Sequence, residues 1–118
     1  MDMDISVDEQ GAVSVVSVTG SVDALTADTL LESFQQQLQN GNGQLVADLE
    51  QVEYASSAGL RTILVALKES RQQGGDLRLA AVQKGVYRVL ELSGFTSILK
   101  VYPDVGAAVA SFDESDGD

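Results

Sequence analysis

The sequence predicts an α/β domain: a mixed, mostly parallel sheet of four to five strands with about four helices, in the order ββαβαβαβα. Three observations carry this. Runs rich in Val, Ile and Leu alternate with stretches of helical apolar spacing. Gly pairs and Asn-Gly steps punctuate the changeovers. The first two β-rich runs follow one another with no helical stretch between them, which predicts a hairpin at the start of the sheet.

The elements follow in order. In "MDISVDEQGAVSVVSVTG", Ile5 and Val7 alternate in a first strand, and Val13, Val15, Val16 and Val18 make a second, joined near Glu9-Gln10-Gly11. The break in alternation at Val15-Val16 predicts a strand buried on both faces, or a bulge. Leu30, Leu31, Phe34 and Leu38 then recur at helical spacing, with Thr26 as the expected N-cap and Asn40-Gly41-Asn42-Gly43 as the stop. "QLVADLE" reads as a short buried strand, followed by a loop. Leu60, Ile63, Leu64 and Leu67 give a second helix an apolar face, and Gly74-Gly75 ends it. "DLRLAAV" is a strand. Val86, Val89 and Leu90 form the stripe of a third helix closed by Gly94. "ILKVYP" is a short strand, and Asp104 is placed to cap a last helix bearing Val105, Ala108, Val109 and Phe112. Strands separated by helices imply right-handed crossovers. One domain is expected over 1–112, with 113–118 an acidic, disordered tail.

Composition removes several function classes. The chain has no cysteine and no histidine, so thiol chemistry, thiolate metal sites and a Ser-His-Asp triad cannot be built. No Gly-rich phosphate loop is present, and no residue argues for a nucleotide. The tail "DESDGD" looks like a calcium loop but lacks its spacing. An enzyme is therefore not expected, and neither a metal nor another cofactor. A net charge of -11 disfavours nucleic acid. No apolar run approaches the ~18 residues of a membrane span, and "MDMDISVDEQ" is neither a signal nor a transit peptide. A cytoplasmic monomer is the expectation.

The most informative stretch is "EYASSAGLRTIL", from Glu53 to Leu64. Ser56-Ser57 stands where a helix presents unpaired backbone N–H groups, and a serine cap there is worth about 1 kcal/mol. Capping alone would explain a serine. Three neighbours point further. Ala55, Ala58 and Gly59 leave the serines unshielded. Gly59 in a first turn costs about 1 kcal/mol relative to alanine, which implies that something approaches the backbone there. Arg61 lies one turn beyond Ser57 and can pair with a phosphate. The helix dipole would favour such a phosphate by roughly 0.3–1 kcal/mol, whereas desolvating it under a partner costs several kcal/mol. The second effect is larger. A phosphate here would leave the fold intact and abolish binding.

The segment "DLEQVEYASSAGLRTIL" resembles the phosphoacceptor region of the STAS-domain anti-sigma factor antagonists, also called anti-anti-sigma factors. "VTGSVDALTADTL" resembles the family's Gly-x-hydrophobic-Asp loop, and "LRLAAVQKGVYRVLELSGFTSILKVYPDVGAAV" follows its strand–helix–Gly–strand–helix course. The resemblance covers roughly 3–112 and implies a STAS fold. It also implies a bacterial partner switch that regulates transcription. An anti-sigma factor that is a GHKL-type serine kinase phosphorylates the antagonist, and a PP2C-type phosphatase reverses this. The unphosphorylated form captures the anti-sigma factor and releases sigma, or another effector. The phosphoacceptor carries over to Ser57. Many members have Asp before that serine, and Ser56 stands there instead, which makes Ser56 the alternative acceptor. Asp23 matches the loop aspartate beside the serine, with a turn or cap role as its competing explanation. Tyr54, Ser56, Ser57, Ala58, Gly59, Leu60 and Arg61 complete the implied partner surface.

Two other readings compete. A receiver-type domain phosphorylated on Asp48, with Lys100 in a late strand, lacks the acidic pair that a Mg²⁺ site needs. A STAS scaffold or accessory module of a stressosome-like or transporter system would have no need of an exposed acceptor serine.

Overall fold

The computed structural model describes residues 3–116. Its elements are β1 (Met3–Gln10), β2 (Val13–Val22), α1 (Ala27–Gln39), β3 (Gln44–Ala55), α2 (Ser57–Gln72), β4 (Asp76–Ala80), α3 (Lys84–Leu92), a 3₁₀ turn (Phe95–Ser97), β5 (Val101–Tyr102) and α4 (Val105–Asp116). The five strands lie in the order β1-β2-β3-β4-β5. β1 pairs antiparallel with β2, and every later pair is parallel.

β2 is buried on both faces, which accounts for its unbroken run of valines. Val16 and Val18 join Leu45, Ala47, Leu49, Leu77 and Leu79 beneath the apolar faces of α1, α2 and α3. Val13 and Val15 point the other way, and with Val46 and Ala80 they meet Ala108 and Phe112 of α4. Three crossover helices therefore share one face, and α4 closes the other. α4 is tied down by a charged cluster. Arg78, 3% exposed, pairs with Asp76 at 3.0 Å, donates to Ser111 Oγ at 2.7 Å and stacks 4.1 Å from the Phe112 ring centroid. The second Asp76 oxygen takes Arg71 at 3.0 Å, so one carboxylate links β4 to both α2 and α4.

Several sequence expectations are corrected. β3 has no loop after Glu50; it continues to Ala55 and runs directly into Ser56. Two register shifts against β2, between Ser17 and Thr19 and between Gly20 and Ser21, absorb the exposed pairs Glu50-Gln51 and Glu53-Tyr54, which broke the alternation. Thr26 occupies the N-cap position of α1 but makes no capping bond. Its hydroxyl donates instead to the Ser21 carbonyl at 2.8 Å. α4 continues through Asp116, so the backbone of 113–116 is helical where a disordered tail was expected. Asp104 Oδ1 caps α4 by accepting from Ala107 N–H at 2.8 Å, and once a capped turn exists, each further helical residue costs little. Residues 117 and 118 of that tail lie outside the described residues.

Candidate functional site

The site stands at the carboxyl ends of the parallel strands, where open α/β sheets gather their loops. β2 ends at Val22 and β3 at Ala55, side by side in register. The Ser56 N–H donates to the Val22 carbonyl at 2.9 Å, which locks the start of α2 onto the end of β2. Gly59 makes that approach possible. A Cβ on it would stand 2.4 Å from Val22 O and 2.9 Å from Asp23 N. The close approach that the glycine implied is therefore made by the chain's own β2 end.

The two serines divide the work between them. Ser56 is the N-cap of α2: its backbone is extended, and its Oγ accepts from Gly59 N–H at 3.0 Å. Ser57 is the first helical residue and is exposed. Its Oγ is not used in capping, and it faces the Ser93 Oγ of the α3 C-cap at 3.4 Å. It thus stands exposed at the positive end of the α2 dipole, with its oxygen toward Ser93.

The remaining predicted residues fall into two groups. Tyr54, Ala58 and Arg61 are exposed beside Ser57. Tyr54 is 55% exposed. Both ion pairs found among the described residues belong to Asp76, so Arg61 takes part in neither. Gly59 and Leu60, by contrast, are buried, with Leu60 at 0% exposure among the core residues. They support the surface from beneath. Asp23 sits on the rim as a turn residue: its Oδ1 accepts from Leu25 N–H at 2.9 Å and Thr26 N–H at 3.1 Å, which organises the loop into α1.

Three residues at this edge escaped the sequence reading. Leu25, in the loop that Asp23 organises, is 85% exposed; Leu92, at the end of α3, is 75% exposed; Ser93 faces Ser57. The signal for the two leucines is their position off any apolar stripe. Leu25 precedes the α1 pattern, and Leu92 lies outside the Val86-Val89-Leu90 stripe. Nothing local marks Ser93, because its proximity to Ser57 is tertiary. Leu25 and Leu92 thus leave large apolar side chains open on the same edge as the exposed Ser57. Among the described residues no cluster of acidic side chains could hold a metal ion. No helix among them is long and apolar enough to cross a membrane.

Comparison with known proteins agrees with this arrangement. The STAS domain family profile matches residues 4–108. The Bordetella bronchiseptica protein BtrV, provisionally assigned as an anti-sigma factor antagonist, is 34% identical over 93% of this chain and 95% of its own. An anti-sigma factor antagonist from Mycobacterium paratuberculosis superposes with a TM-score of 0.84 at 25% identity, over 93% of both chains. The phosphorylated form of the Bacillus cell fate determinant SpoIIAA has the same fold, with a TM-score of 0.71 at 14% identity over 92% of this chain and 99% of that one. An α/β fold with a five-stranded mixed sheet and four helices, a family profile spanning nearly all of it and relatives matched end to end lead to one conclusion: this chain belongs to the STAS domain family, among proteins named as anti-sigma factor antagonists.

Proposed function

We propose that this protein is a cytoplasmic anti-sigma factor antagonist switched by phosphorylation of Ser57. It is a non-catalytic regulator and acts as a monomer. Unphosphorylated, it docks the edge formed by Asp23, Leu25, Tyr54, Ser57, Ala58, Arg61 and Leu92 on an anti-sigma factor of the GHKL serine kinase type, which releases sigma or another effector. That kinase phosphorylates Ser57, and a PP2C-type phosphatase restores the binding form.

One observation carries the proposal: of two adjacent serines, Ser56 is committed to the cap and Ser57 is exposed with its Oγ free of the helix. A phosphate on Ser56 would require the cap to break. On Ser57 it meets the dipole and lies one turn from Arg61. The fold tolerates that charge, whereas an interface formed over it does not. SpoIIAA, which shares the fold, has been characterised in both unphosphorylated and phosphorylated forms, and this supports the reading.

The test is to incubate the purified protein with ATP and each GHKL-type serine kinase of its own genome, and to read intact mass for the wild type, Ser56→Ala and Ser57→Ala. One added phosphoryl group that is lost only in Ser57→Ala is the expected result. Full uptake by Ser57→Ala would move the acceptor elsewhere. No uptake with any kinase would favour a scaffold or accessory role.

A further inference from the structure

Charge is unevenly distributed along this chain. Residues 1–60 carry ten Asp and Glu and no Lys or Arg, whereas residues 61–100 carry seven Lys and Arg against three Asp and Glu, a net of +4. Every cation therefore falls between Arg61 and Lys100, and three of the seven, Arg61, Lys68 and Arg71, are on α2. Solubility does not require this in a chain of net charge -11. Like charge gathered along one helix attracts a ligand of the opposite sign.

The same helix forms one wall of a groove. Leu64, Leu67, Lys68, Arg71, Gln72 and Ile98 line an open concavity of about 450 Å³ between α2 and the turn after α3. Leu64, Leu67 and Ile98 give it an apolar floor, and Ile98 is 44% exposed. Lys68 and Arg71 form the rim. Arg71 is held in place by Asp76 at 3.0 Å and by the Ile98 carbonyl at 3.2 Å, and its side chain remains 48% exposed. The one acid on α2, Glu69, accepts from Gln35 on α1 at 3.2 Å and so faces away from the groove.

Helix geometry joins this groove to the serine site. Ser57, Arg61, Leu64, Lys68 and Arg71 follow one another at spacings of four, three, four and three residues, which keeps them on one face. At 1.5 Å per residue the row is about 21 Å long, the length of a partner helix of about four turns. We infer that the row and its groove are a docking seat for an acidic, apolar-anchored segment of the partner protein, laid along α2 with its end at Ser57. The inference rests on the switch reading above and specifies the chemistry of the partner. Apolar side chains of that segment fill the floor between Leu64 and Ile98, and its carboxylates meet Arg61, Lys68 and Arg71. A phosphate on Ser57 then repels the segment directly, because it adds negative charge where negative charge must dock.

Lys68→Glu tests the seat. Its match in net charge is the double variant Ser6→Asp/Gln10→Glu on the exposed β1 strand, far along the chain from the groove. Both are titrated calorimetrically into the kinase that phosphorylates the wild type, at low and high salt. Lys68→Glu is expected to weaken binding about tenfold or more and to flatten its salt dependence, with the β1 variant close to wild type. Ile98→Asp, which alters the floor without substituting any residue of α2, is expected to weaken binding similarly. Phosphoryl uptake at saturating kinase should persist in all three, since Ser57 is untouched. Wild-type affinity in both Lys68→Glu and Ile98→Asp would overturn the seat while leaving the switch reading intact. Equal losses in Lys68→Glu and the β1 variant would reduce the effect to net charge and also overturn it. Dissociation of a homodimer by Lys68→Glu, with unchanged kinase affinity, would assign the groove to a second copy of this chain. If the wild type binds no kinase, the switch reading falls and this inference with it.

Discussion

Ser56 and Ser57 carry the same side chain one residue apart, yet their hydroxyls have opposite duties. The Ser56 oxygen satisfies the Gly59 N–H; among the described residues the Ser57 oxygen meets only the Ser93 hydroxyl. Ser56→Ala should therefore cost about 1 kcal/mol, seen as a Tm lower by roughly 3–8 °C, while Ser57→Ala stays within about 0.5 kcal/mol of wild type. Equal thermal shifts for the two variants would contradict this division. Gly59 sets a sharper test. Replacing a helical glycine with alanine ordinarily gains about 1 kcal/mol. Here the new Cβ would stand 2.4 Å from Val22 O, a backbone atom that cannot swing aside. The clash is the larger effect, and Gly59→Ala should lose about 1–3 kcal/mol, measurable by urea denaturation. A stabilised Gly59→Ala would mean that the β2 end and α2 do not meet as described. The sequence showed that two serines stand at a helix start and that a glycine nearby implies close approach. It could not show which serine caps, because that depends on the extended backbone at Ser56 and on its bond to Val22.

At the scale of elements, the periodic segments were legible and the irregular ones were not. Leu30, Phe34 and Leu38 announce α1, and Leu60, Ile63 and Leu67 announce α2, because a buried helical face must repeat. The second half of β3 was hidden. Its exposed pairs Glu50-Gln51 and Glu53-Tyr54 look like loop, and only two register shifts against β2 keep them in the ladder. The cluster beneath α4 was hidden too, since nothing in "DLRLAAV" says that Arg78 is turned inward to Asp76 and Ser111. That cluster supplies a prediction. Asp76→Ala removes the carboxylate shared by buried Arg78 and by Arg71 of α2. A loss of about 3–5 kcal/mol is expected, a Tm drop on the order of 10 °C or more. A drop of only one or two degrees would show that the pair contributes little to holding α4 on the sheet.

For the whole molecule, the fold separates stability from signalling. The cores on both faces of the sheet are closed to solvent; at the edge where Ser57 stands, Val22, Ala55 and Leu60 belong to them, whereas Ser57 itself lies outside, exposed. Charge on that edge can therefore change while the domain stays folded. The exposed cations Arg61, Lys68 and Arg71 of α2 begin one turn from Ser57 on a chain of net charge -11. Association with its partner should accordingly slow as salt is raised across a Debye length shorter than the protein. Stopped-flow rates at low and high ionic strength would read this, and a salt-independent rate would speak against a steered encounter. The most direct measurement is a calorimetric titration of the anti-sigma kinase with two forms of this protein, unphosphorylated and stoichiometrically phosphorylated on Ser57, with thermal unfolding of both recorded in parallel. Similar unfolding temperatures with binding only by the unphosphorylated form are the result this account predicts. Equal affinities of the two forms, or loss of binding that merely follows loss of the fold, would contradict it.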